Sequence, residues 1–391
     1  KSKMLSNSIN WLKPATQIST IALAIAVGTF SVTASAQSGE AIRDQYPELA
    51  DLFNAFDVTQ ASAFEKIAEI NSDSSTQQAR NELAMELEMA SRPGQGHAMS
   101  HSGMDMDMNM GTEGPYHELE VAARVELLET MRESHSDETA EQAFNESGAI
   151  DRHTAEVLKR GRNFEANLFA IYIDDSISDK KAAVADAIEE YLTDERHSVT
   201  TFPKDSSYLL AHDQATGFTS AFPLLSGFLW TQQWLQLASL EAVILEGLDS
   251  QFANGYTIAL ERFWNKVGSS GGMTMFPAPN ELPMAPAIAP NLYSQSQEAA
   301  VILDNLNVLE TLILDILSYP NTENREELMA TAVSEFTDKS EETALNSDYL
   351  LFALRSGIYN QGGPAVGELM QSERNRSREA MNMVHSIIMS Q

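Results

Sequence analysis

The stretch that decides the fold is Pro223–Asp249, PLLSGFLWTQQWLQLASLEAVILEGLD. Proline suits the first turn of a helix, where its missing N–H costs nothing. Behind it come Leu224, Leu225, Phe228, Leu229, Leu235, Leu237, Leu240, Val243, Ile244 and Leu245. These residues surround most of a helical wheel, and a helix apolar on most sides must be packed on most sides. The spacing therefore predicts a central helix. A second one is predicted over 294–317, where Val301, Leu303, Leu306, Val308, Leu309, Leu312, Ile313, Ile316 and Leu317 form an apolar stripe that ends before Pro320.

Working outward, helical spacing recurs over 75–90, 116–132, 151–173, 178–192, 323–337, 347–356 and 375–389. Ser75-Thr76-Gln77-Gln78, Ser178 and Ser294-Gln295-Ser296-Gln297 read as helix starts, because their hydroxyls can accept from free N–H groups in the first turn. Only Ser198–Phe202 reads as extended, and no strand–helix–strand rhythm occurs. The expected class is all-α: a multi-helix bundle, either one large bundle or two packed ones, with long irregular loops. Two irregular stretches, 92–115 and 268–291, are rich in Gly and Pro. The first is the expected boundary between an N-terminal helical segment, 37–91, and a main helical domain, 116–391.

Residues 1–36 read as an address. Lys1, Lys3 and Lys13 precede an apolar run, Ile21–Val32, and then Ala34-Ser35-Ala36. This is the order of a secretory signal peptide, with cleavage expected after Ala36. The apolar run is about 12 residues, against about 20 for a bilayer span. The expectation is a periplasmic or secreted protein with no membrane span in the mature chain.

Charge and composition narrow the partners. Against 25 basic side chains the 391 residues carry 56 acidic ones, for a net charge of −31. That repels nucleic acid and anionic lipid. There is no cysteine, which removes disulfides, thiolate zinc sites, iron–sulfur clusters, thioether-linked haem and a thiol nucleophile.

Residues 97–110 carry the chemistry: His97-Ala-Met99-Ser-His101-Ser-Gly-Met104-Asp-Met106-Asp-Met108-Asn-Met110. Five of 17 methionines and two of eight histidines fall in these fourteen positions, far above even placement. Nothing in the segment has an apolar face to explain them by packing. Thioether sulfur is a soft donor that favours Cu(I), and imidazole serves both copper oxidation states. Asp105 and Asp107 add charge that attracts a cation. The segment resembles the Met/His-rich motifs of periplasmic copper-handling proteins, such as copper-resistance oxidases and copper chaperones. That resemblance implies copper, as Cu(I) or Cu(II), held by His97, Met99, His101, Met104, Met106, Met108 and Met110 on a flexible loop.

Other clusters have simpler explanations. Met381, His385 and Met389 share one predicted helix face, which suits core packing. Met273, Met275 and Met284 lie in the second irregular stretch. Asp194 and His197 read as a solvated helix end, His153 and Glu156 as a salt bridge, and Glu113 and His117 as neighbours at a helix start. Trp230, Trp234 and Trp264, with Phe222 and Phe228, read as core before ligand pocket. No His-Glu-x-x-His, Walker, Gly-x-Gly-x-x-Gly or Gly-x-Ser-x-Gly motif occurs, so an enzyme ranks last. The leading expectation is an exported metal-binding protein that captures, buffers or delivers copper. The alternative is a helical envelope interaction or structural protein, partnered by another envelope protein, with the Met-rich segment as a linker.

Overall fold

The computed structural model describes residues 41–90, 114–204, 208–209, 211–268, 282–340, 349–350 and 353. The expected signal peptide, the whole 97–110 segment, Met273, Met275 and the Met381–His385–Met389 face lie outside the described residues. The protein is all-α. Among the described residues there is no strand, and no helix is long and apolar enough to cross a membrane.

The helices in chain order are α1 (Pro47–Ser72), α2 (Gln77–Ala90), α3 (His117–Arg132), α4 (Asp137–Glu146), α5 (Arg152–Ile173), α6 (Lys180–Leu192), α7 (Gly217–Ala221), α8 (Pro223–Leu248), α9 (Gly255–Gly268), α10 (Ala285–Ile288), α11 (Pro290–Gln295), α12 (Gln297–Ser318) and α13 (Arg325–Thr337). The two helices expected to be central are so. In α8 nearly every residue from Leu225 to Ile244 is buried, and in α12 nearly every residue from Ala299 to Ser318. α1 packs on α3, α4 and α12; α5 packs on α4, α6, α8 and α12; α9 lies along α8, and α13 against α12. One apolar core runs from Ile42 to Phe336, so α1 and α2 share it with the helices that follow residue 115.

Several local expectations shift. The cap before α2 is not Ser75: Asp73 accepts from the Ser75 N–H at 2.6 Å and closes a 3-10 turn, Ser74–Thr76. α6 is capped by Asp179, which accepts from Ala182 N at 3.0 Å, and not by Ser178. In α12 the cap is Ser296, accepting from Ala299 N at 3.2 Å. Ser198–Phe202 joins no sheet. The Thr200 N–H donates to Phe336 O at 2.8 Å, and the Asn305 amide donates to the carbonyls of Thr200 and Phe202 at 2.7 and 2.9 Å. The strip is thereby tied to α12 and α13 by side-chain and single backbone bonds.

Gly161 sets the closeness of α5 and α12: a Cβ there would lie 2.5 Å from the Leu306 side chain. Four of the five aromatics read as core are so, and Trp264 is only partly buried against it. Trp234 is 1% exposed, Phe222 is fully buried, and Phe228 and Trp230 are buried beside them. Met284 is buried too, against Val301, Tyr349 and Ala353.

Candidate functional site

The described structure fixes the two ends from which the Met/His segment leaves the scaffold. On the C-terminal side, Gly114 is pressed against the start of α8, where a Cβ would lie 2.7 Å from Ala221 O and 2.8 Å from Pro223 Cδ. The Tyr116 ring stacks on Phe222 with centroids 5.0 Å apart, and its hydroxyl donates to Asn71 Oδ1 at 3.0 Å. Asn71, buried at the end of α1, in turn donates to the carbonyls of Leu317 and Tyr319 at 2.9 and 3.0 Å. This root is therefore bolted to α1, α8 and α12 together. On the N-terminal side the chain leaves through α2. Its Met85 and Met89, one turn apart, are 57% and 54% exposed. Nothing in the sequence pattern separated these two from core methionines such as Met131, which is 2% exposed.

A second concentration of polar groups sits where α1, α5, α8 and α12 face one another, with Glu165 and Glu310 buried and Arg162 and Asp57 partly buried. Arg162 on α5 lies at its centre. Its Nε meets Asp57 Oδ1 at 3.0 Å, Nη1 meets Glu165 Oε2 at 3.2 Å, and Nη2 meets Glu310 Oε2 at 3.9 Å. Nη2 also donates to Gln60 Oε1 at 2.6 Å. Gln236 Nε2 donates to Glu165 at 3.2 Å, and Gln233 Nε2 to Glu310 at 3.0 Å. One guanidinium cannot neutralise three carboxylates. Burial pushes the Asp57 carboxyl up to about 7 and raises Glu165 and Glu310, against the pull of Arg162. Protons therefore supply the charge balance that Arg162 does not. A cavity of about 20 Å³, bounded by Gly161, Arg162, Leu306 and Glu310, adjoins the cluster. It holds no more than about one water, too little for a substrate. The cluster specifies how four helices meet.

Four further buried carboxylates cap helices from a distance. Glu120 accepts from the N–H groups of Leu224 and Leu225 at the start of α8, at 2.7 and 2.9 Å. Asp315 accepts from Phe218 N at 2.8 Å, Asp304 from Ala285 N at 2.8 Å, and Glu241 from Asn291 N at 3.2 Å. The helices they serve, α7, α8, α10 and α11, have no side-chain cap of their own. Burial raises each of these four carboxyls to about 7, against the lowering effect of the donated hydrogen bonds.

The third concentration is on the surface, between α5 and the turn that follows α6. A groove of about 180 Å³ is lined there by Glu156, Arg160, Asn163, Tyr191, Asp194 and His197, among others. The expected His153–Glu156 salt bridge is not formed: the His153 Nε2–H donates to Arg196 O at 2.8 Å. Nor is Asp194 merely solvated, because the His197 Nδ1–H donates to Asp194 Oδ2 at 2.9 Å. The two ring planes are inclined by 79°, with centroids 5.3 Å apart. Burial alone would raise the Asp194 carboxyl, but the His197 hydrogen bond and charge, with Arg160, hold it below the ordinary carboxylate value. These two histidines are 44 positions apart, so no local spacing joined them. Among the described residues, no three histidine or acidic side chains stand together as a ready metal site.

Comparison with known proteins adds no relative. No protein-family model matches the chain, no curated protein matches it in sequence, and no solved structure matches its fold.

Proposed function

We propose that this chain is an exported copper-binding protein of the cell envelope, a rigid helical scaffold that presents a Met/His segment for capture, buffering or delivery of copper. The observation that carries this reading is the density of His97, Met99, His101, Met104, Met106, Met108 and Met110 in a chain without cysteine. Thioethers bind Cu(I) without the oxidation that would disable a thiolate in an oxidising compartment. Two structural facts support it. The segment's C-terminal root is fixed to three helices through Gly114 and Tyr116. The helix leading into it holds two further thioethers, Met85 and Met89, out in solvent.

The test is a titration of the full chain with Cu(I) under a competing chelator, and separately with Cu(II), beside a variant lacking residues 97–110. The expected result is binding tighter than about micromolar, lost by about a hundredfold or more in the deletion with no change in melting temperature. Cu(II) affinity should fall below about pH 6, where imidazole protonates, while Cu(I) binding by thioethers persists. Equal affinity in the intact and deleted chains would overturn the assignment. One feature favours a protein partner as well: Val121 and Val125, one turn apart on α3, are 41% and 50% exposed. A partner receiving copper would find this apolar face beside the segment's root.

A further inference from the structure

We infer that His153 and His197 form a second metal site, for a borderline divalent transition metal such as Zn(II) or Cu(II), at the edge of the groove between α5 and the end of α6, which His197 lines. The inference does not rest on the Met/His segment and would stand if the copper reading failed.

The tautomers carry the argument. A carbonyl oxygen accepts only, so the His153 nitrogen facing Arg196 O at 2.8 Å must be the protonated one, Nε2. An ionised carboxylate also accepts only, so the His197 nitrogen facing Asp194 at 2.9 Å, Nδ1, carries its proton. In its neutral form each ring is thereby left with one bare nitrogen, Nδ1 of His153 and Nε2 of His197. Histidines that ligate metals are held in this manner, the far N–H given to a carbonyl or carboxylate that fixes the tautomer and makes the near nitrogen more basic. Here both kinds of orienting acceptor occur side by side.

The separation fits one ion. With metal–nitrogen bonds of about 2.0–2.1 Å, an ion lies about 3.2 Å from each ring centre. With both bare nitrogens turned to the same ion, centres 5.3 Å apart then subtend roughly 110° there, close to the tetrahedral angle that zinc prefers. The surroundings are suitable. Glu156, one turn after His153 on α5, lines the same groove as His197. The groove's cations are committed elsewhere: Lys159 to Glu141 at 3.0 Å, and Arg160 to the carbonyls of Glu190 and Tyr191 at 2.9 and 2.6 Å. Two protein nitrogens leave positions for water or an incoming ligand, so the site suits exchangeable binding and not a permanent structural ion.

The test uses the full chain carrying His97→Ala and His101→Ala, so that the Met/His segment contributes no imidazole. Before metal is added, nitrogen–proton correlation spectra of the imidazoles should show His153 as the Nε2–H tautomer and His197 as the Nδ1–H tautomer. On titration with Zn(II), the signals of these two rings should shift together and saturate at one equivalent. His153→Ala and His197→Ala should each weaken zinc binding at least about tenfold, and the double variant should be little worse than either. Asp194→Asn keeps both imidazoles and a hydrogen-bond acceptor; it should weaken binding about tenfold through loss of the carboxylate behind His197. Its melting temperature and apo spectrum report whether the fold is intact. Ring signals that do not move at saturating zinc, or a His197→Ala chain that binds as tightly as its parent, would overturn the site.

Discussion

The interior of the bundle and its outer surface use the same side chains for opposite ends. Met131, Met284 and Met329 are 1–2% exposed and fill core space, whereas Met85 and Met89 stand more than half exposed on α2. The imidazoles of His153 and His197 each keep one nitrogen bare at the surface. In the interior, Arg162 is surrounded by Asp57, Glu165 and Glu310. The difference teaches where to look for function in this chain. Interior polar groups are held by one another or by helix starts, and changing them should cost stability and leave metal binding alone. Surface donors keep coordination capacity, and changing them should cost binding and leave stability alone.

The sharpest way to break this partition is at Arg162. Arg162→Met leaves two buried carboxyls and the partly buried Asp57 around an apolar chain, and removing one partner of a buried ion cluster costs about 3–5 kcal/mol. Thermal unfolding followed by circular dichroism should show that loss, while Cu(I) affinity is unchanged. Adding Asp57→Asn, Glu165→Gln and Glu310→Gln should recover most of the stability, because the penalty belongs to the stranded carboxyls. A single variant as stable as the parent would mean that the cluster is not what joins the four helices.

Acidification separates the two regions by sign. Asp57, Glu120, Glu241, Asp304 and Asp315 have native values raised to about 7 by burial, against unfolded values near 4. Between about pH 4 and 7 the native state holds protons that the unfolded chain has released. Stability is therefore greatest near and below pH 4 as far as these groups are concerned, falls as pH rises through that window, and levels off above it. Self-repulsion of a chain with net charge −31 acts in the same direction. The expected result is a melting temperature higher at pH 5 than at pH 8, by at least about 5 °C at about 2–4 °C per kcal/mol. Imidazole-based metal binding should move the other way, weakening as pH falls through about 6. A chain that melts higher at pH 8 would show that these carboxyls are ionised in the folded state, Asp57 held so by Arg162 and the other four by the helix starts they cap.

The two central helices were legible from sequence because Leu, Ile and Val recur through α8 and α12 in numbers that only burial explains, whereas α1, as long as α8 at 26 residues, was read only as part of an N-terminal helical segment. α4 was not legible, since Ala140 and Phe144 are its only buried side chains. α9 was passed over although Ala259, Leu260, Phe263 and Val267 mark an apolar face; glycines at both ends of so short a helix masked it. The interior carboxylates could not be read locally. Glu120 caps a helix through the N–H of Leu224, 104 positions later, and Arg162 with Glu165 has the spacing of an ordinary surface pair. The His153–His197 pair was hidden for the same reason: each histidine had a nearby acid that offered an adequate local account. What no sequence pattern could supply was the exposure of individual methionines.

That exposure gives the smallest predicted effect and the finest test of the partition. Met85→Leu with Met89→Leu keeps helix propensity and side-chain size nearly constant on α2, so the melting temperature should not move. If these thioethers join the donors of the Met/His segment, Cu(I) affinity should fall about threefold, or about 0.7 kcal/mol, with Cu(II) affinity unaffected because thioether is a poor donor to the harder ion. The control is Met131→Leu, which removes a thioether that accepts a hydrogen bond from Gln232 at 3.7 Å in the core. It should disturb packing slightly and change neither affinity. Should the α2 variant bind Cu(I) as the parent does, the soft ligand set would be confined to the segment itself. Should the core variant weaken binding, the division between interior and surface methionine would be wrong.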